Sequence, residues 1–335
     1  IPVAATQAGK SVMPEAHPNY VGSLGVTGSS AANDLAEKAD VVLSVGSRLQ
    51  DFTTGSNGLI KGQVLSLNVQ LHDAIKHDAI TVVGDALVGL ETLGHALAGH
   101  YTSDAYQQEY ATLKREWDAA VDTVTGKPEG NALPSDSAVI GAVNRNVPAT
   151  AIAVGAAGSM PGELHKLWRT GAVDGYHMEY GFSCMGYEVS AGIGVHMASP
   201  DRPNVVFAGD GSYLMMNSEL ATAVMMGVSM TLVITDNRGY GCINRLQVAT
   251  GGVPFNNLLA DAHHEILPEI DFAAHAASLG AQAQKVSSLD ELEEAVFAAS
   301  GRAGVDVIVI DTDPGPSTEA GGVWWDVAVP AVSER

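Results

Sequence analysis

The chain has 335 residues, with Lys and Arg totalling 17 against 38 Asp and Glu, a formal charge of −21. Binding to nucleic acid or to an anionic membrane surface needs basic patches, and none is visible. The length accommodates two domains, each able to bury its own core. Charged residues make up only 16%, below the usual ~25%, which points either to large buried interfaces or to Ala and Gly enrichment. Cys184 and Cys242 are the only cysteines. Two cysteines build neither a disulfide framework nor a Cys-based zinc site, so a reducing, cytoplasmic setting is expected. No stretch approaches the ~20 apolar residues of a membrane-spanning helix. Residues 147–157 are too short for that and read as a buried strand with its flanks. The chain opens at Ile1 in a strand-like run, without a basic n-region or signal peptide, and reads as cut from something longer.

Apolar runs of strand length alternate with helical patterns, which predicts an α/β protein with parallel sheets flanked by helices. In the first half, strands are expected over 2–6, 41–46, 64–69 and 80–83. Helices are expected over 30–38, 87–97 and 103–124. Residues 125–134 hold two prolines, two glycines and Asn131 and read as an interdomain linker. The expected division is a domain at 1–125, a linker at 126–136 and a second domain at 137–335. In the second half, strands are expected over 151–154, 205–208, 230–235, 281–286 and 305–310. The helices there are expected over 139–146, 187–197, 214–226, 272–279 and 289–299. No internal repeat or low-complexity segment interrupts this pattern.

The most informative segments are Gly209-Asp210-Gly211-Ser212 and Asp236-Asn237-Arg238-Gly239-Tyr240-Gly241. Each follows a predicted strand, and Asp210 and Asn237 are about one βαβ unit apart. Residues so placed sit at the carboxyl ends of adjacent parallel strands, where open α/β sheets bind ligands. A carboxylate, an amide oxygen and a backbone carbonyl freed by the following glycines are hard donors that suit Mg²⁺, not zinc. Gly211 and Ser212 are expected to open a helix whose free N–H groups favour an anion. Together these features predict a metal–diphosphate clamp. Either motif alone is an ordinary turn; the pair at this spacing carries the inference. No P-loop occurs, and Gly22, Gly25 and Gly28 lack the dinucleotide-binding spacing.

On these residues the chain resembles the thiamin diphosphate-dependent enzymes. The resemblance implies Asp210 and Asn237 as Mg²⁺ ligands, with Gly239 giving its carbonyl. It places Gly209, Gly211 and Ser212 near the diphosphate, and Tyr240 beside them. Asp236-Asn237 stands where the family usually has Asn-Asn, and the ligand is the second member. Gly181-Phe182-Ser183-Cys184-Met185-Gly186-Tyr187 resembles the loop beneath the thiazolium ring. Met185 is then the bulky residue that wedges the cofactor into a V, a role that suits a flexible thioether. Gly155-Ala156-Ala157-Gly158-Ser159 resembles the loop that meets the cofactor from the other side, with Gly158 and Ser159 as contacts. The resemblance implies a thiamin diphosphate-binding fold for the C-terminal domain. The first half resembles the family's central, Rossmann-like domain, N-terminally incomplete. In the family, an N-terminal domain carries the glutamate that promotes the imino tautomer, and it completes the site from another subunit. These 335 residues are expected to lack it. No catalytic residue is assigned here, and a homodimer or homotetramer is expected.

Most decarboxylases and acetolactate synthases continue the Met-Gly loop with Leu-Pro, whereas Glu188-Val189-Ser190 stand here. The runs at 158–168, 176–181, 239–247 and 324–330 resemble the cyclic-dione hydrolase branch of the family, which serves myo-inositol catabolism. That branch implies hydrolytic carbon–carbon cleavage of a cyclic 1,2-diketone to 5-deoxyglucuronic acid, with the cofactor as electron sink. Activity is expected only with the N-terminal domain. The alternatives are an acetolactate synthase-like carboligase or decarboxylase, and an inactive cofactor-binding fragment. His165, His177 and Glu179 are candidate substrate-pocket residues. Cys184 and Cys242 read as small core fillers, His263-His264 as a polar loop, Glu219 as an interface or capping carboxylate, and Trp324-Trp325 as tail packing.

Overall fold

Strands rich in apolar residues with no polar face must be covered on both sides, and the central strands of the larger sheet of this chain are of this kind. The computed structural model describes residues 1–128, 130 and 132–326. Two units emerge, one of residues 1–9, 17–120 and 319–326, the other of residues 10–16 and 121–318. Glu129 and Asn131 of the expected linker, and residues 327–330 of the tail motif, lie outside the described residues.

In the first unit β1 (Val3–Ala5) pairs in parallel with β2 (Tyr20–Ser23). A second parallel sheet runs β3 (Val41–Val45), β4 (Gln63–Asn68) and β5 (Ile80–Val83), in that order. The helix Ser30–Lys38 starts where Ser29 Oγ accepts from Ala32 N, a side-chain N-cap. Residues 319–326 return to this unit. Trp325 meets Phe52 edge-on at 5.5 Å, and its indole N–H donates to Asp51 Oδ2 at 2.6 Å. Trp324 stays exposed.

The second unit carries β6 (Ile152–Gly155), β7 (Tyr176–Met178), β8 (Asn204–Gly209), β9 (Met230–Asp236), β10 (Gln282–Val286) and β11 (Val305–Asp311). Their order is β10-β11-β9-β8-β6-β7, and every neighbouring pair is parallel. All of β9 is buried. Val206, Ala208, Leu232, Ile234, Val307 and Val309 share one core with Val189 and Ile193 of the helix Tyr187–Ala198, and with Leu220 and Phe272. Their strand neighbours point the opposite way, where Phe207 meets Trp168 edge-on. Among the described residues, no helix is long and apolar enough to cross a membrane.

The expected helix over 214–226 is two helices, Asp210–Met216 and Ser218–Met225. Asn217 separates them, and its side-chain amide donates to Leu214 O at 3.0 Å, a local bond that competes with helix continuation. Glu219 lies in the first turn of the second helix, where a carboxylate is favourable. The edge strands β2 and β7 and the helices Met160–Leu167 and Gly241–Ala249 are additions to the sequence reading.

Gly192 sets how closely the helix Tyr187–Ala198 approaches the sheet. A Cβ there would lie 2.7 Å from Val206 Cγ2 and 2.8 Å from Met230 Sδ. Ala is preferred to Gly in a helix interior by up to ~1 kcal/mol, but overpacking costs ~1–3 kcal/mol. Met230 can swing aside; the short, branched Val206 cannot. Gly192→Ala is therefore predicted to lower stability by about 1 kcal/mol in urea unfolding. A gain in stability would show that the contact yields freely.

Candidate functional site

After β6 the chain moves to one side, to β7, and then crosses to the other side, to β8. The direction of winding thus reverses between β6 and β8, and the crevice at the carboxyl ends of such strands is the natural ligand site. The loop 155–159 leaves β6, the helix start at 210–212 follows β8 directly, and the next strand, β9, delivers Asp236 and Asn237. Gly209 pairs with Thr235 across β8 and β9, so Asp210 and Asn237 emerge from adjacent parallel strands as the spacing predicts.

Asp210 is 7% exposed and Asn237 8%. Asp210 Oδ2 accepts from Gly239 N at 3.0 Å. Asp210 Oδ1 and Asn237 Oδ1 are both buried without a hydrogen-bond partner. Buried polar atoms are normally satisfied, so two orphaned oxygens at neighbouring strand ends call for a donor or a cation. Burial pushes the Asp210 carboxyl up to about 6, with the nearby Asp236 adding to the shift and the N–H groups of Gly211 and Gly239 opposing it. Burial also raises Asp236, although Arg238 N donates to it at 3.1 Å. Among the described residues, no cluster of three His, Cys, Asp or Glu could hold a metal. The donors here are a carboxylate and an amide oxygen on a glycine-rich turn, a set that fits a hard divalent cation and not zinc.

The turn that follows is held firmly. Gly239 has φ +147°, and a Cβ on it would lie 2.6 Å from Asn257 O and 2.9 Å from Leu258 Cα. Both obstacles are backbone, and Tyr240 N donates to Asn257 O at 2.7 Å. A cleft of about 280 Å³ opens at Asp210, Gly211, Gly239 and Tyr240 and extends to Leu258, His264 and Phe272. The helix after β8 begins at Asp210, not at Gly211, and has only seven residues.

Gly211 lies against two of the other candidates, Tyr240 and Met185. A Cβ added to it would lie 2.9 Å from Tyr240 Cε1 and 3.3 Å from Met185 Cε. Ser212 is buried. Gly158 is exposed with φ +77°, and half-buried Ser159 bonds the carboxyl of Asp136. Burial raises Asp136, against the hydrogen bond from Ser159 and the charge of Arg245. Asp136 and Glu188 are the polar residues that sequence reasoning missed. Glu188 is 1% exposed, yet it stands in an otherwise apolar helix start, which is the signal that would have found it.

The three pocket candidates lie elsewhere. His165 is fully buried on the helix Met160–Leu167, its carbonyl accepting from Lys10 Nζ at 2.9 Å, so it lines no open cleft in this form. His177 sits on the edge strand β7, 2.9 Å from the Tyr187 hydroxyl, in a separate cavity of about 300 Å³. Burial lowers its pKa. Glu179 accepts from Phe182 N at 3.0 Å and Cys184 N at 2.7 Å. Burial opposes its ionisation, but those N–H groups hold its carboxyl below the usual range. Glu179 thus braces the loop that presents Met185. Cys184, on that loop, is exposed and not a core filler. Cys242 is half-buried, its thiol pushed up by burial, and His264 bonds Leu259 O.

Residues 156–311 match the family "Thiamine pyrophosphate enzyme, C-terminal TPP binding domain", and residues 1–93 match "Thiamine pyrophosphate enzyme, central domain". The chain belongs to the thiamine pyrophosphate enzymes. Curated relatives within reach are named 3D-(3,5/4)-trihydroxycyclohexane-1,2-dione hydrolase. One from Geobacillus thermodenitrificans is 37% identical, one from Bacillus thuringiensis 36% and one from Clostridium perfringens 35%. Each match covers 100% of this chain and 57% of the relative, so the chain spans little more than half the length of these proteins.

In this thiamine pyrophosphate enzyme the Asp210 shift has a consequence without any ligand. Its folded pKa of about 6 lies above the ordinary 3.8, so the folded state holds the proton more tightly. The contribution of Asp210 to the stability of the metal-free protein therefore falls as pH rises from 3.8 through about 6, by up to roughly 3 kcal/mol. Asp210→Asn removes the charge and should raise stability at pH 7 by about 1–3 kcal/mol, with the gain vanishing near pH 4. Urea unfolding without divalent cations checks this; an equal effect at both pH values contradicts it.

Proposed function

We propose that this chain holds thiamin diphosphate through Mg²⁺ and serves the hydrolytic ring cleavage of trihydroxycyclohexane-1,2-dione to 5-deoxyglucuronic acid in cytoplasmic myo-inositol catabolism. The observation that carries the reading is the pair of orphaned buried oxygens, Asp210 Oδ1 and Asn237 Oδ1, in a chain of this family. Asp210, Asn237 and the Gly239 carbonyl are the proposed Mg²⁺ ligands. Gly158, Ser159, Gly209, Gly211, Ser212 and Tyr240 are proposed to line the diphosphate, and Met185 to support the thiazolium ring. When bound, the cofactor supplies a nucleophilic carbon and an electron sink. The chain's own residues bind, orient and exclude water.

The dione as substrate is supported by the names of the relatives and by Glu188-Val189-Ser190 in place of Leu-Pro. His165, His177 and Glu179 stay proposed as substrate-side residues, His165 only after a rearrangement that exposes it. Residues 126–136 are proposed as the linker between a central domain and a diphosphate-binding domain. We further propose that the complete enzyme is a homodimer or homotetramer in which an N-terminal domain from another subunit adds a glutamate to the site. Exposed Leu214, Met215, Met216, Ile243 and Leu246 in the second unit support a partner covering this region.

Calorimetric titration of thiamin diphosphate with Mg²⁺ tests the clamp. Asp210→Ala should abolish Mg²⁺-dependent binding. Because a proton competes for Asp210 below about 6, affinity should fall on acidification from pH 7, approaching about tenfold per pH unit below that value. Unchanged affinity in the variant removes the metal assignment. Product analysis with the cyclic dione against pyruvate separates the hydrolase from a carboligase, and turnover of pyruvate alone would favour the latter.

A further inference from the structure

Glu188 is a buried carboxylate for which the proposed chemistry has no use. It is 1% exposed, and no ion pair with it exists among the described residues. Its charge is met by hydrogen bonds alone. Oε1 accepts from Ala157 N at 3.2 Å, and Oε2 accepts from Gly186 N at 2.9 Å. A side-chain bond links it to Ser212, and its own N–H also faces the carboxylate. Burial raises the carboxyl, and these four contacts all oppose that rise. A carboxylate surrounded by several donors can stay ionised without a cation.

The partners come from three separate segments. Ala157 is in the loop after β6. Gly186 follows Met185 in the loop before the helix Tyr187–Ala198. Ser212 follows Gly211 after β8. Each segment bears residues proposed to meet the cofactor, and one side chain joins all three. Gly186 is fixed in two further ways. Its φ is +93°, and a Cβ would lie 2.9 Å from Met216 Cβ. The turn that presents Met185 is therefore set by sterics on one side and by Glu188 on the other.

We propose that Glu188 is a positioning residue that ties the loops at Ala157 and Gly186 and the helix start at Ser212 into one register, so that the cofactor crevice is formed before anything binds. It acts through those loops. Its effect on cofactor affinity rests on the function proposed above; its effect on the loops does not.

Glu188→Gln is close to isosteric, but its amide nitrogen cannot accept a bond. At least one of the two backbone N–H groups then loses its acceptor. Two readouts follow. In the cofactor-free protein, NMR hydrogen exchange at Ala157 or Gly186 should speed up about tenfold or more, with the β8 and β9 amides unchanged. In calorimetry, thiamin diphosphate with Mg²⁺ should bind about tenfold or more weakly. Glu163→Gln is the control: Glu163 is also buried, but it bonds Thr318. It should lower stability and leave both readouts at the parent value. If Glu188→Gln does not fold, Glu188→Asp carries the test, since a carboxylate shorter by one methylene cannot bridge both N–H groups. Parent-like exchange at both amides overturns the proposal. So does an affinity loss that Glu163→Gln reproduces. A parent protein that binds no thiamin diphosphate defeats the proposed function alone, and the exchange measurement still decides the role of Glu188.

Discussion

Asp210 Oδ1 and Asn237 Oδ1 are buried at the ends of adjacent parallel strands and have no protein partner. An unmet buried acceptor is unfavourable by ~1–3 kcal/mol, and a carboxylate beside a second carboxylate, Asp236, adds repulsion. A fold keeps such an arrangement when something else answers it. The rest of the second unit can be read from this constraint. The register of β8 on β9, Gly209 against Thr235, puts Asp210 and Asn237 just past the ends of adjacent strands. The glycine turn at 239 is pinned to Asn257 and Leu258 by its backbone. The reversal of strand order between β6 and β8 lies beside them, and a cleft opens at Asp210, Gly239 and Tyr240.

Around that pair, polar groups are used for shape. Glu179 braces the loop carrying Met185, Asp136 holds Ser159, and Glu188 reaches both of these loops and Ser212. Loops at strand ends are inherently mobile. Carboxylates that collect backbone N–H groups remove that freedom locally, and they do so without placing a cation where a diphosphate would compete for it.

The legibility of the sequence follows from burial. Strands covered on both faces, such as β8, β9 and β11, are continuous Val and Ile runs and were readable to within a residue or two. The edge strands β2 and β7 are four and three residues long, carry Tyr, Gly, Ser and His, and leave no periodic signal. The helix Met160–Leu167 starts with Pro161 and Gly162, so its first turn resembles a loop. Asn217 breaks a helix whose apolar pattern runs straight through it. The Asp210–Asn237 spacing was legible because one βαβ unit fixes it. Asp136 and the backing of Gly239 by Asn257 were not, because each depends on contacts between distant segments; Glu188 left one signal, a lone carboxylate in an apolar helix start.

The central claim is that the two orphaned oxygens exist to hold a hard divalent cation. Crystals of the protein grown with Mn²⁺ and thiamin diphosphate, measured for anomalous scattering at the manganese edge, test it directly. One anomalous peak is expected in direct contact with Asp210 Oδ1 and Asn237 Oδ1, with the Gly239 carbonyl completing the protein's share of the ligands. A cofactor bound with its cation elsewhere, or those two oxygens hydrogen-bonded to water with no metal at saturating Mn²⁺, would contradict it.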